Sequence, residues 1–362
     1  MRFETVRYIE WFKLREKVAI DLSSSGVNQL TKKDLDIDWG NLEITGENFY
    51  GYPPLVEAIA ERYSVHEENV VSTVGTSHAI FVVCAALLER GDVVVIESPV
   101  YEPLLAVPKA FDARVKRLDR GYDKDYGFSL EEFRSALSPD TKFVLLTNLH
   151  NPSGVLLSRT FLSELVRLAQ EKDVLIVVDE IYLEFLEATS TAFHLADNVI
   201  AISSLTKVFG LGHLRCGWIL AQPALAQRMR KIIDYINVEG TFIGEKIAHQ
   251  MFGQLDMIKR KNRERIEKNK SEVRHLIREE PGLSWVEPAG GVVCFPKIEN
   301  GLTGDELAVR LHADYDTAIV PGSFFENPQH FRLGFGGSGE NLVKGLANIS
   351  EALKGNVSKR AR

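Results

Sequence analysis

Ser203-Ser204-Leu205-Thr206-Lys207-Val208-Phe209-Gly210-Leu211-Gly212-His213-Leu214-Arg215 is the stretch on which the reading of this chain turns. It starts where a short apolar run, Val199-Ile200-Ala201-Ile202, ends, and such a run reads as a buried strand. Lys207 therefore stands just beyond a strand end, flanked by hydroxyl residues, with Arg215 eight positions further on. Most loop lysines are solvated surface residues. A lysine held in a closed pocket behaves differently. Desolvated, it loses its proton and becomes an amine nucleophile that forms a Schiff base with a carbonyl. On that reading Arg215 holds a phosphate. The rest of the chain decides between the two.

The chain has 362 residues, 45% hydrophobic and 26% charged, enough for a large core and a second, smaller domain. A net charge of -7 argues against general nucleic-acid binding. Cys84, Cys216 and Cys294 are too scattered for a disulfide framework or a CxxC pair, which points to reduced cysteines in an intracellular protein. Arg2, Glu4, Arg7 and Glu10 are unlike a secretory signal, and no apolar run approaches a membrane span. The expectation is a cytoplasmic protein with no membrane and no nucleic-acid partner.

Tyr8, Ile9, Trp11, Phe12 and Leu14 suit one short amphipathic helix. Asp21 to Val27 is a polar turn rich in hydroxyls, and Gly46 to Pro54 a loop before a helix from Leu55 to Tyr63. From Val70 strands and helices alternate. Strands are predicted at Val70–Val74, Val93–Ile96, Phe143–Thr147, Val174–Val178, Val199–Ile202 and Gly217–Leu220. Helices are predicted at Ala79–Leu88, Pro103–Phe111 and Phe161–Lys172. Apolar strands separated by helices argue for a mostly parallel sheet covered on both faces. Beyond Pro223 the chain turns helical, and Met257 to Glu280 reads as a long, charged, solvated helix. Further strands are expected near Ser284–Val286, Gly291–Phe295, Ala318–Pro321 and Phe331–Phe335, with helices at Gly304–His312 and Asn341–Leu353. The tail from Gly355 to Arg362 is expected to fray.

In an open parallel sheet, ligands bind outside the carboxyl ends of the strands. Four of the predicted strands lead there to a chemically useful group. Val93–Ile96 leads to Tyr101, Phe143–Thr147 to Asn151, Val174–Val178 to Asp179, and Val199–Ile202 to Ser204 and Lys207. Together they bring a ring, an amide, a carboxylate and an amine to one crevice. That set suits pyridoxal 5'-phosphate. Lys207 serves its aldehyde and Asp179 its pyridine nitrogen. A carboxylate buried directly after five apolar residues needs a cationic partner, and a pyridinium is one. Asn151 and Tyr182 can donate to the phenolate oxygen, and Tyr101 can stack on the ring. Gly75, Thr76 and Ser77, at a helix start, can offer backbone amides to the phosphate, with Ser204 and Arg215 beside them.

Asn151-Pro152-x-Gly154, Asp179-Glu180-x-Tyr182, Ser204-x-x-Lys207 with Arg215, and Arg332-Leu333-x-Phe335 resemble the class I/II aminotransferases of PLP fold type I, the aspartate aminotransferase-like group. The resemblance covers nearly the whole chain, with its motifs in order. It implies an α/β fold with a mostly parallel central sheet sandwiched by helices, plus a small α+β domain from both chain ends. The expected division is residues 1–45 and 271–362 for the small domain and 46–270 for the large, cofactor-binding one. It also implies a PLP-dependent aminotransferase moving an amino group between an α-amino acid and a 2-oxo acid through a Lys207 Schiff base. Lys207, Asp179 and Tyr182 are the implied catalytic residues. Arg332, gripping the α-carboxylate, and Gly26 and Asn151 are the implied substrate contacts. A homodimer is implied as well, with Tyr50 or Tyr52 as the tyrosine that reaches the neighbouring subunit's phosphate. The Trp11–Val27 region resembles enzymes similar to capreomycidine synthase, a cyclase of the same fold.

The departures are local. Thr206 precedes the lysine where serine is common. His150 before Asn151 is similar to the related carbon–sulfur lyases, but those usually carry histidine where this chain has Tyr182. No second basic residue for an ω-carboxylate is identifiable, so an acidic substrate is not implied. Lyase or cyclase chemistry is the alternative reading, and a non-enzymatic regulator of the same fold a more distant one. Ser204-x-x-Lys207 also fits a serine-nucleophile motif, but the Ser-Asp-Asn and Lys-Thr-Gly elements that accompany it are missing. Gly210-x-Gly212 is a fragment of a dinucleotide fingerprint with Arg215 where the third glycine belongs. His78, His194 and His213 have no metal-ligand spacing, and no metal is expected.

Overall fold

The strands between Val70 and Leu220 assemble into one seven-stranded sheet in the computed structural model, which describes residues 2–187 and 190–354. The tail from Gly355 lies outside the described residues. In chain order the strands are β1 (Val70–Thr73), β2 (Val93–Ser98), β3 (Arg114–Asp119), β4 (Thr141–Thr147), β5 (Leu175–Asp179), β6 (Val199–Ser204) and β7 (Gly217–Leu220). Their spatial order is β1-β7-β6-β5-β4-β2-β3. Only β7 runs against the rest, pairing antiparallel with both β1 and β6.

The central strands are apolar on both faces because helices cover both. Val94, Ile96, Phe143, Leu145 and Val177 face one core with the helix Thr76–Leu87 and with Met229 and Ile233 of Pro223–Ile236. Their neighbours Val95, Val144, Leu146, Ile176 and Val178 face the opposite core, with Leu162, Leu165 and Val166 of the helix Arg159–Gln170. This is the two-residue alternation of a pleated strand, read from both sides.

β3 and the helix Leu130–Ala136 have no counterpart in the sequence reading. β3 is the sheet's edge, and its sequence Arg-Val-Lys-Arg-Leu-Asp carries charge at its exposed positions. Charged side chains are how edge strands avoid further pairing, and they erase the apolar signature that betrays a central strand. The helix is one short capping box: Ser129 Oγ accepts Glu132 N–H at 3.1 Å, and the Glu132 carboxylate accepts Ser129 N–H at 2.8 Å.

A second core joins the two chain ends. Leu22 and Val27 pack with Val292, Leu333, Phe335, Leu346 and Ile349. Val293–Cys294, Phe331–Gly334 and Val320–Pro321 form a small antiparallel sheet there, and Ile20–Asp21 pairs with Thr317–Ala318. The 25-residue helix Leu255–Glu279 spans both regions, placing Leu255 and Ile258 in one core and Ile266 and Val273 in the other. Its solvated face follows from its charge, as expected from the sequence.

Candidate active site

The carboxyl ends of β4, β5 and β6 open on one cavity. Thr76, Ser77, Tyr101, Asn151, Asp179, Tyr182, Lys207 and Arg215 all line it, although they come from segments more than a hundred residues apart. Gly75 and Ser204 stand immediately behind Arg215 and Thr76, Arg332 behind Asn151, and Gly26 against Lys207.

The loop carrying Lys207 is laced to its surroundings. Leu205 N–H donates to Cys216 O at 3.1 Å, Val27 N–H to Lys207 O at 3.0 Å, and Leu30 N–H to Gly210 O at 3.0 Å. A Cβ on Gly26 would meet the Lys207 backbone at 3.2 Å, and one on Gly210, whose φ is +66°, would meet Asn28 O at 2.3 Å. The N-terminal segment thus presses on the lysine loop, and glycine is needed at that crossing. The Lys207 amine donates to Ser25 Oγ at 2.8 Å. Burial pulls its pKa down to about 8, helped by the positive charges of Arg332 and Arg215 and opposed by Asp179.

Asp179 is shifted the other way. Burial raises its carboxyl pKa to about 7, against the hydrogen bond at 3.1 Å from Ile181 N–H. Among the described residues no cation lies within ion-pair distance of it. Burial raises the Tyr182 phenol to about 12, and its hydroxyl lacks a well-formed hydrogen bond, although Ser25 lies close enough to influence it.

A hydroxyl arc occupies the other end. Thr76 Oγ1 donates to Ser204 Oγ at 3.1 Å, and Ser204 Oγ to Thr206 Oγ1 at 3.0 Å. Arg215 arches over the start of the helix Thr76–Leu87, its Nη1 on Gly212 O at 3.0 Å and its Nη2 on Val74 O at 2.8 Å. Backbone amides of a helix start, three hydroxyl residues and a guanidinium make an anion site.

Arg332 is fully buried. Its Nη1 donates to Asn151 Oδ1 at 3.2 Å, and its Nη2 to Tyr8 Oη at 2.7 Å and Ser23 O at 3.1 Å. Burial works against the charge, but the Tyr8 and Tyr182 hydroxyls lift its pKa above the ordinary arginine value. Asn151 is held in turn by Thr147, whose Oγ1 accepts Asn151 N–H at 3.0 Å and donates to Glu97 at 2.5 Å. Glu97 is paired with Arg120 at 2.6 Å, both wholly buried.

Sequence reasoning missed Tyr8, Ser25, Thr147 and Glu97. In the sequence Tyr8 sits in an amphipathic stripe and Ser25 in a polar turn, and neither setting marks a functional side chain. Glu97 did carry a signal, an acid directly after four apolar residues, as Asp179 is after five. Tyr50 and Tyr52 do not line this cavity. Tyr50 is exposed, and Tyr52 packs on Phe242 and His249.

These features set a buried lysine, a buried carboxylate and an anion site around one cavity of an α/β fold, and the residues fit pyridoxal 5'-phosphate. The lone buried carboxylate of Asp179 calls for a cationic ring nitrogen, the unpartnered Tyr182 hydroxyl calls for an acceptor, and Gly75, where a Cβ would come within 2.5 Å of Arg215 Nη2, lets the guanidinium sit at the helix start where an anion would bind. The profile of the aminotransferase class I and II family matches residues 31–349, and the chain belongs to that family. It is a transferase that uses pyridoxal 5'-phosphate. The chain is 27% identical to capreomycidine synthase of Streptomyces vinaceus, over 98% of this chain and 95% of that one. It is 28% identical to an aspartate aminotransferase of Thermotoga maritima, over 83% and 80%. The solved structure of a PLP-dependent aminotransferase from Streptococcus suis superposes with a TM-score of 0.89 at 27% identity, covering 98% of both chains. Among the described residues no helix is long and apolar enough to cross a membrane.

Proposed function

We propose that this aminotransferase exchanges an amino group between an α-amino acid and a 2-oxo acid, with Lys207 as its proton carrier. One observation supports this most. Lys207 and Asp179 line one cavity, and burial moves their pKa values towards neutrality from opposite sides, to about 8 and about 7. When bound, pyridoxal 5'-phosphate supplies the aldehyde that takes up the amino group and a ring that withdraws electrons from the α-carbon. Asp179 would hold the ring nitrogen protonated. Asn151 and Tyr182 would donate to the phenolate oxygen, and Tyr101 would flank the ring. Gly75, Thr76, Ser77, Ser204 and Arg215 would hold the phosphate. Arg332 would take the α-carboxylate, with Gly26 and Asn151 beside it. Lys207 Nζ then removes the α-proton and later returns it, a base near its own pKa at neutral pH.

The same reading assigns residues 1–45 and 271–362 to a small domain and 46–270 to a large one, in a cytoplasmic homodimer. Tyr50, 49% exposed and lining a surface pocket separate from its own subunit's cavity, suits the partner's phosphate better than the packed Tyr52. Similarity to capreomycidine synthase over 98% of the chain favours cyclase or lyase chemistry as the second reading. Purified protein should show a visible cofactor band that borohydride removes and that Lys207→Ala lacks. A panel of amino acids in single half-reactions should convert that band to the aminated cofactor, with release of a 2-oxo acid. Release of ammonia without amination of the cofactor would overturn the aminotransferase reading in favour of a lyase.

A further inference from the structure

Tyr8 is held from several sides near the candidate site, and the mechanism above does not use it. Its hydroxyl accepts from Arg332 Nη2 at 2.7 Å. Its ring lies edge-on to Tyr101 and Phe324, with centres 5.5 and 5.8 Å away, and against Phe325 at 6.0 Å and Trp11 at 6.2 Å. The backbone is pinned too. Tyr8 N–H donates to Glu102 Oε2 at 2.6 Å and Arg7 N–H to Oε1 at 3.1 Å, so a remote carboxylate caps the helix Arg7–Leu14 at its positive end. Nothing in the local sequence requires this. An amphipathic helix packs adequately with phenylalanine at such a position.

What the hydroxyl adds is a proton. A phenol that accepts one hydrogen bond still has its own hydrogen to give. Arg332 likewise has capacity left: its buried Nε has no partner, which is costly unless a ligand completes it. Two donors thus stand side by side in a desolvated place, one charged and one neutral.

We propose that Tyr8 is a second ligand for the substrate's α-carboxylate. It keeps its bond from Arg332 Nη2 while donating its own proton to a carboxylate oxygen that the guanidinium holds. This rests on the reading of Arg332 as the carboxylate residue. The clamp then has two free donors, Arg332 Nε and the Tyr8 hydroxyl, and the tyrosine also fixes the guanidinium plane. The aromatic packing and the Glu102 cap argue that Tyr8 stays in place when substrate arrives, rather than swinging away.

Acetate tests the clamp alone, because it carries the carboxylate and nothing else. Its dissociation constant is measured by thermal-shift titration of the holoenzyme in wild type, Tyr8→Phe and Arg332→Lys, with acetamide as the neutral control. Tyr8→Phe should weaken acetate about tenfold, the loss of one hydrogen bond to a charged group, and leave acetamide and the visible cofactor band unchanged. In single half-reactions its half-saturating amino acid concentration should rise by more than its limiting rate falls. Unchanged acetate binding in Tyr8→Phe, with binding lost in Arg332→Lys, overturns the Tyr8 proposal alone. Tighter acetate binding in Tyr8→Phe also overturns it, because the hydroxyl would then be competing for Arg332. Acetate that is indifferent to Arg332→Lys as well removes the carboxylate role of Arg332 itself and leaves the cofactor reading standing.

Discussion

Arg215 Nη2 lies where a side chain on Gly75 would begin, only 2.5 Å from the position of a Cβ there. The two residues are 140 positions apart in the chain and meet because β7 pairs antiparallel with β1. Gly75 has φ +85° and ψ 173°, a conformation almost confined to glycine. A Cβ on Gly217, one strand over, would in turn strike Gly75 Cα at 2.8 Å. Gly75→Ala should therefore displace the guanidinium from the anion site. Cofactor affinity should fall about tenfold or more, from loss of charge-assisted hydrogen bonds, while the apolar core is untouched. Equilibrium titration of the cofactor-free protein with pyridoxal 5'-phosphate checks this. Wild-type affinity in Gly75→Ala would mean that Arg215 does not hold the phosphate.

The lowered pKa of Lys207 has two measurable consequences in the cofactor-free protein. Amine-directed labelling of Lys207, followed by mass spectrometry, should rise with a midpoint near pH 8, where exposed lysines hardly react. The linkage to stability has a definite sign. Folded Lys207 gives up its proton at about 8 and unfolded lysine at 10.5. Between these values the unfolded chain binds more protons, so this residue makes stability rise with pH across that window. Below it, the buried charge is a standing cost. Lys207→Met should accordingly melt higher than wild type at neutral pH when both lack cofactor, and the gap should shrink towards pH 10.

Glu97 and Arg120 make a buried pair that carries one end of the site. Thr147 takes its orientation from Glu97 and passes it to Asn151. Glu97→Gln leaves the Arg120 guanidinium buried and uncompensated, which should cost about 3–5 kcal/mol in chemical denaturation. Glu97→Gln combined with Arg120→Met should recover part of that loss, because an apolar pair has no charge to strand. The double variant tests position as well as stability. If Thr147 and Asn151 depend on the carboxylate, it should remain catalytically weak even where its stability is restored.

The reach of the sequence reading follows from what burial does to composition. β4, β5 and β6 are buried on both faces, so they appear as apolar runs, and a polar residue at their ends stands out. That contrast located Asn151, Asp179 and Lys207, which the fold brings to one cavity. β3 has no such contrast, since an edge strand is half solvent-exposed and charged. Tyr8 fails differently. Its chemistry comes from a bond to Arg332, 324 residues away, and the helix around it looks like ordinary packing. Gly26 was singled out through resemblance, but the side chain that meets the lysine is its neighbour Ser25, because a polar turn does not reveal which hydroxyl points inward.

Asp179 gives the sharpest contrast between stability and function. Its folded pKa is raised from 3.8 to about 7, so the fold favours the protonated acid. As pH climbs from about 4 to 7 the unfolded chain releases this proton first, and the cofactor-free protein loses the corresponding stability. Asp179→Asn has no charge to bury and keeps an acceptor for Ile181 N–H. It should melt above wild type at pH 8 and close to it at pH 4, both without cofactor. On the proposed role of Asp179, the same substitution with cofactor bound would remove the group that keeps the ring nitrogen protonated. Single half-reactions should slow by about two orders of magnitude or more, while the visible band persists. Both outcomes follow from one buried carboxylate whose ionised form the folded protein alone does not compensate. A variant that gained stability at pH 8 and kept full turnover would separate the two and refute the role of Asp179 at the ring.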